Sequence, residues 1–201
     1  MINPVANGFH LATQTQPRLN HRLTRYAFSL WRGNYRVKPM FLRPFRPTDK
    51  RHLQQLFFDT VHSLNGHDFT PAQLDVWAPA EPHREIWSRL DEQSCFVVEF
   101  QKLVVGFASL SDDGMITFLI VHKNFQGRGI ASTLLKQLER VARKKGFESL
   151  KAESCLSASG FFKKLGFELL SENRRQIQGQ ELLTFNMEKT LPLLATNNTK
   201  T

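Results

Sequence analysis

Two glycines set between an apolar run and an amphipathic helix pattern constrain this chain more than any other feature. Ile116, Phe118, Leu119, Ile120 and Val121 read as a buried strand, and the polar His122, Lys123 and Asn124 end it. Gln126-Gly127-Arg128-Gly129 follows. Glycine takes positive φ at little cost and lets a ligand approach the backbone closely. Beyond it Ile130, Leu134, Leu135, Leu138, Val141 and Ala142 recur at helical spacing, with Lys136, Glu139, Arg140 and Arg143 opposite them and Gly146 as a stop. A strand, a glycine turn and a helix start in that order make an anion site. The first amides of the helix lack internal partners, and the helix dipole favours negative charge there. Arg128 adds a guanidinium, so a phosphate or pyrophosphate fits. A structural turn without a ligand is the plain alternative.

Charge has to be located before it means anything. The chain of 201 residues carries a net charge of +9, but Arg18, Arg22, Arg25, Arg32, Arg36, Lys38, Arg43 and Arg46 all lie in residues 1–48, which contain no acid. Of 27 basic side chains 19 remain beyond that stretch, against 18 acidic ones, a net of +1. The expected organisation is a basic, partly disordered extension over 1–39, one domain over 40–190 and a disordered tail over 191–201. Within the extension Leu19, Leu23, Tyr26, Ala27, Leu30 and Trp31 share a helical face opposite the arginines, which predicts an amphipathic helix over 17–32. Three readings of it stay open: a segment packed loosely on its own domain or added by an upstream start codon, an organelle-targeting segment, or a helix lying on a membrane or nucleic acid. No apolar run approaches the roughly 20 residues that span a bilayer. Cys95 and Cys155 stand alone, so a reduced, cytoplasmic protein without a metal site is expected.

The domain opens with a short strand from Met40, kept to a sheet edge by Pro44. Thr48 reads as the N-cap of a helix carrying Leu53, Leu56, Phe57 and Val61 on one face. Thr70, Pro71 and Gln73 form a capping box for a second helix, and residues 85–90 form a third. Strands over 95–100 and 103–110 make a hairpin about Gln101-Lys102, and Asp112-Asp113-Gly114 turns into the strand at 115–121. A strand at 149–153, a helix at 158–165 stopped by Gly166, and strands at 167–170 and 182–187 complete the chain.

The loop Gln126-Gly127-Arg128-Gly129-Ile130-Ala131 resembles the acetyl-CoA loop of the GCN5-related N-acetyltransferase (GNAT) superfamily, Gln/Arg-x-x-Gly-x-Gly/Ala, at every specified position. The segment Ala158-Ser159-Gly160-Phe161-Phe162-Lys163-Lys164-Leu165-Gly166-Phe167 is similar to a second family element, Ala-x-x-Phe-Tyr-x-x-x-Gly-Phe. A closer similarity is to an uncharacterised bacterial branch, through His67 to Ala78. The resemblance implies an α/β (α+β) fold, the GNAT acyl-CoA N-acyltransferase fold. That is a mixed, mostly antiparallel central sheet with helices on both faces, over residues 41–189. It implies acetyl-CoA as co-substrate, its diphosphate held by Gln126, Gly127, Arg128, Gly129, Ile130, Ala131 and Ser132. It further implies that the pantetheine pairs with the backbone of Leu119, Ile120 and Val121, where the strands at 115–121 and 149–153 splay apart. Phe162 would border the cofactor, and the N–H near Ile120 would polarise the thioester carbonyl.

The departures are chemical. Relatives often carry tyrosine as general acid where Phe162 stands and a carboxylate base where Thr117 stands. Glu153 is the remaining candidate base; an ordinary strand-end glutamate is the alternative. Cys155 or Ser154 could donate a proton in place of tyrosine, although Cys155 reads as buried. His67 reads as a solvent-exposed loop residue, His122 as a turn residue, and Trp77 and Trp87 as helix packing. The expected function is therefore direct acetyl transfer to a primary amine of a small molecule or peptide in a ternary complex. A CoA-binding regulatory module without turnover is the alternative, and a nucleic-acid-associated protein tethered by the basic arm is a third reading that the neutral domain does not favour. Nucleic acid and a membrane span are not expected, and the oligomeric state, a homodimer included, is open.

Overall fold

Turn chemistry sets the joints of this fold. Gln101 and Lys102 both hold positive φ, at 51° and 70°, which is the backbone that joins two strands by a two-residue turn. Gln178 and Gly179 repeat this with φ 48° and 79°. Gly146 and Gly166 close two helices in the same manner. The N–H of Gly146 donates to Arg143 and that of Phe147 to Ala142, while Gly166 donates to Lys163 and Phe167 to Phe162. The computed structural model describes residues 26–28 and 39–192. In chain order these form β1 (Tyr26–Phe28), β2 (Met40–Pro44), α1 (Lys50–Leu64), α2 (Pro71–Trp77), α3 (Arg84–Ser88), β3 (Ser94–Phe100), β4 (Leu103–Leu110), β5 (Met115–Val121), α4 (Ile130–Lys144), β6 (Ser149–Ser154), α5 (Leu156–Lys164), β7 (Glu168–Ile177) and β8 (Gln180–Thr190).

The strands form an eight-stranded sheet in the order β1-β2-β3-β4-β5-β6-β8-β7. Every neighbouring pair is antiparallel except β5 and β6. One face packs Leu134, Leu135 and Leu138 of α4 onto Val98, Val105 and Ala108, and carries Ala158 and Phe162 of α5 beside β7 and β8. The other packs Leu53 and Leu56 of α1 and Trp87 of α3 onto Val97, Phe107, Phe118 and Ile120. The expected mixed, mostly antiparallel sheet with helices on both faces is therefore present. Gly106 lets α4 lie close to the sheet: a Cβ there would sit 2.9 Å from Ile130 Cγ2 and 3.1 Å from the carbonyl oxygen of Ile120. Gly106→Ala should cost about 1–3 kcal/mol of stability by overpacking, measured by denaturant unfolding, because the backbone oxygen cannot move aside.

Several sequence expectations change. Tyr26–Phe28 is a strand paired with Met40 to Leu42, so the helix expected over 17–32 does not run through these residues; the rest of that helix lies outside the described residues. β2 is consequently not the outermost strand, and Pro44 falls beyond the stretch that β1 pairs. The N-cap of α1 is Asp49 rather than Thr48. The polar stretch after residue 170 is not a connection but the body of β7, exposed along most of its length. Leu191, expected in a disordered tail, is 2% exposed and its N–H donates to Glu148 at 2.7 Å. The rest of that tail beyond residue 192 lies outside the described residues.

Candidate active site

A parallel pairing that stops short makes the site. β5 and β6 pair only at Met115 with Lys151 and Ile116 with Ala152. Beyond that point the two strands part, and a cavity of about 780 Å³ opens between them. Thr117 is where the strand changes character. Ser109 of β4 pairs with Phe118 and Leu110 pairs with Ile116, so Thr117 is an extra residue in a β-bulge. The bulge shifts the side-chain phase: Ile116 packs on the α4 face, while Phe118 and Ile120 join the aromatic cluster with Trp87 and Phe107 on the other.

Backbone direction follows from the ladder. The N–H of His122 donates to Val105 at 2.9 Å, and Phe107 pairs with Ile120. Residues on an antiparallel strand alternate in the side to which their amides point. The amides of Phe118 and Ile120 therefore face β4, and those of Leu119 and Val121 face the gap. The donor expected at Ile120 is turned the wrong way, because its N–H and C=O are spent on the ladder. Leu119 carries the available amide closest to the point where the strands part.

At the other end of β5 the chain turns through Lys123–Phe125 into α4. His122 is a turn residue, its Nδ1 accepting from the Asn124 N–H at 3.1 Å. Gly127 and Gly129 hold φ of 69° and 74°, and a Cβ on either would meet nothing within 4 Å. Both glycines thus hold the left-handed backbone over open space rather than against packed atoms. Gly129 is the N-cap of α4, so the amides of Ile130, Ala131 and Ser132 have no acceptor within the helix. Arg128 is exposed, its guanidinium carbon 4.9 Å from the centroid of the Phe125 ring. Ile130 contributes only its amide, since its side chain is 1% exposed in the core.

The cavity wall brings together Leu119, Ile120, Val121, Ala131, Glu153 and Phe162. Gln126, Gly127, Arg128, Gly129, Ile130 and Ser132 are not in that wall; they join it through Ala131, in the first turn of the same helix. Glu153 is the first residue of β6 past the ladder. Its Oε1 accepts from Thr184 Oγ1 at 2.6 Å and from Asn173 Nδ2 at 3.2 Å, and its Oε2 accepts from Arg175 Nη1 at 3.1 Å. A carboxylate offers about four acceptor positions. Three are used here, leaving one on Oε2.

These three partners were not among the sequence candidates, and nothing local to Glu153 points to them. Cys155 lines the same cavity but is 2% exposed, and burial pushes its thiol up to about 11, so it stays protonated at neutral pH. Trp87 is buried and Trp77 half-buried, both border the cavity, and His67 is exposed. No helix among the described residues is long and apolar enough to cross a membrane.

A family model described as an acetyltransferase (GNAT) domain matches residues 65–191. The uncharacterised N-acetyltransferase YafP of Escherichia coli (strain K12) is 27% identical over 147 residues, or 73% of this chain and 93% of YafP. A solved GCN5-related N-acetyltransferase from Rhodopseudomonas palustris is 31% identical with a TM-score of 0.71, the match covering 75% of this chain and 94% of that one. The PaiA N-acetyltransferase of Thermoplasma acidophilum, solved with coenzyme A, shares the fold at a TM-score of 0.61 and 16% identity, over 76% and 99% of the two chains.

Proposed function

The chain belongs to the GNAT acetyltransferase family, whose activity is acetyl transfer from acetyl-CoA to an amine, and on that premise we propose how its own residues divide the work. The acceptor is a primary amine that attacks the thioester directly while both substrates are bound. One observation carries this reading: the cavity that opens where the β5–β6 pairing ends extends along β5 to Ala131 in the first turn of α4, and Glu153 stands where it begins.

The diphosphate of CoA lies on the amides of Gly127, Gly129, Ala131 and Ser132, which offer donors and a positive helix end. From there the pantetheine runs back along β5 and meets the N–H of Val121 first and that of Leu119 last. The Leu119 amide then holds the thioester carbonyl and stabilises the negative charge that attack places on its oxygen. Phe162 and Ala131 wall the arm and exclude water.

Glu153 takes the proton of the incoming ammonium, directly or through one water, at its one unused acceptor position. Arg175, Thr184 and Asn173 fix the carboxylate and keep that position aimed. No tyrosine stands at Phe162, so the leaving thiolate takes its proton from solvent or from the amine.

The test is release of free thiol from acetyl-CoA over a panel of amines. Glu153→Gln should lower kcat by about 10²-fold or more, the range of general-base loss, with the KM for acetyl-CoA unchanged. Thiol release that survives this change would remove Glu153 from the mechanism. The lack of tyrosine at Phe162 and of a carboxylate at Thr117 favours a second reading, a CoA-binding module without turnover. It predicts CoA uptake with no thiol released by any amine.

A further inference from the structure

The acceptor half of the cavity is graded from charged to apolar. Asn173, Arg175 and Ile177 alternate along β7, and their partners Thr184 and Leu182 face them from β8, so all five share one face of the hairpin. Nearest the gap that face binds Glu153. Toward the hairpin tip it turns apolar, with Ile177 and Leu182. The tip is fastened to α2, where Gln73 Nε2 donates to the carbonyl of Glu181 at 2.5 Å. That bond brings Val76 and Trp77 into the same wall, and α1 adds Phe57 and Phe58. Trp77 is braced by Phe69 in an edge-to-face contact at 4.9 Å, and Phe57 by Phe118 at 5.4 Å, so both rings are held rather than free to collapse into the space.

Taking acetyl transfer as the reading above has it, we infer that the acceptor is a small primary amine on an aromatic or otherwise flat apolar body. The amine is directed to Glu153, and the body lies between Trp77 and Ile177. A peptide acceptor would need polar groups along the wall for its backbone. A polyamine would need a second carboxylate at the far end. At that place the wall offers six apolar side chains, from Phe57 to Leu182, while the cavity's other carboxylates, Glu85 and Asp113, stand on α3 and on the β4–β5 turn. Burying one ring there is worth roughly 1.5–3 kcal/mol, or about 10–150-fold in affinity.

The experiment uses the full chain. Calorimetry first measures CoA uptake, and then the binding of 2-phenylethylamine, ethylamine, putrescine and a short peptide with a free N-terminus to the CoA-saturated protein. 2-Phenylethylamine should bind at least tenfold tighter than ethylamine and show the highest kcat/KM with acetyl-CoA. Trp77→Ala should weaken it tenfold or more without changing CoA affinity. Ile177→Ser, at the hairpin tip where the side chain is only half-buried, should weaken it severalfold and serves if the Trp77 variant does not fold. If CoA itself is not taken up, the transferase reading fails and this inference with it. If CoA binds and either putrescine or the peptide is the better acceptor, or the ring adds nothing, this inference alone is overturned.

Discussion

Gly129→Glu should abolish CoA binding while leaving the protein folded. Gly129 caps α4 at φ 74°, a backbone that non-glycine residues adopt at a cost of about 1 kcal/mol, and its Cβ would point into open space. A glutamate at a helix N-terminus recovers roughly 0.3–1 kcal/mol from the dipole, so the two local effects nearly cancel in stability. In binding they do not cancel. The carboxylate occupies the volume and the positive field that the diphosphate requires, and it repels the phosphates in addition. The affinity for CoA should fall by about 100-fold or more, close to 2.7 kcal/mol, with the melting temperature within a few degrees of the parent. Gly129→Ala isolates the backbone strain and should weaken CoA only severalfold. Unchanged calorimetric affinity in Gly129→Glu would move the diphosphate elsewhere and remove the reason for placing the reactive carbonyl at Leu119.

The parts of this architecture that are legible in the sequence are those written in local chemistry. Gly127, Gly129, Gly146 and Gly166 all hold positive φ, and each stands where a turn or helix end reads from the residue types alone. The capping box at Thr70 and Gln73 forms as the spacing predicts, with the Thr70 N–H donating to Gln73 Oε1 at 2.8 Å. What is not legible depends on partners far along the chain. β7 is exposed along most of its length, so it lacks the apolar alternation that marks a strand, and its existence depends on β8.

Three more features depend on such partners. The bulge at Thr117 comes from pairing with β4, and the register across that ladder decides whether Leu119 or Ile120 offers its amide to the gap. Thr48 does not cap α1 because a 3-10 turn over Pro47–Asp49 leads into the helix, and Asp49 in that turn is held by Arg43 of the neighbouring strand. The acceptor wall is assembled from α1, α2 and the β7–β8 hairpin, and no single segment carries its pattern.

Arg43→Leu should be the most damaging single change to the fold. Arg43 is 6% exposed and grips both oxygens of Asp49, Nη1 to Oδ2 at 2.7 Å and Nη2 to Oδ1 at 2.9 Å. Its Nε donates to Glu99 Oε2 at 2.9 Å. One guanidinium therefore joins β2, the start of α1 and β3, and α1 carries Phe57 and Phe58 into the acceptor wall. Removing it leaves two carboxylates without their cation in a poorly solvated place, which costs about 3–5 kcal/mol and lowers the melting temperature by about 10 °C for a chain of this size.

The pH dependence separates this cause from a simple packing loss. Burial works to raise the Asp49 carboxyl, but the Arg43 hydrogen bonds and the Arg46 amide overturn it and hold the group below its ordinary value. A carboxylate depressed in the folded state adds stability above its unfolded pKa and loses it as the pH falls through the folded pKa. The parent should therefore hold its stability from neutral pH down to about pH 4 and lose it below. In Arg43→Leu the burial of Asp49 is no longer opposed by the guanidinium, the folded carboxyl rises, and the sign reverses. Stability of the variant should then increase as the pH is lowered toward the ordinary carboxylate range, measured by urea midpoint at each pH. Replacing Asp49 and Glu99 by apolar residues in the Arg43→Leu background should recover most of the loss, since an ion cluster removed whole costs far less than one left with a missing partner. A variant that melts low at every pH with the same slope as the parent would show that Arg43 matters for its packed methylenes and not for its charge.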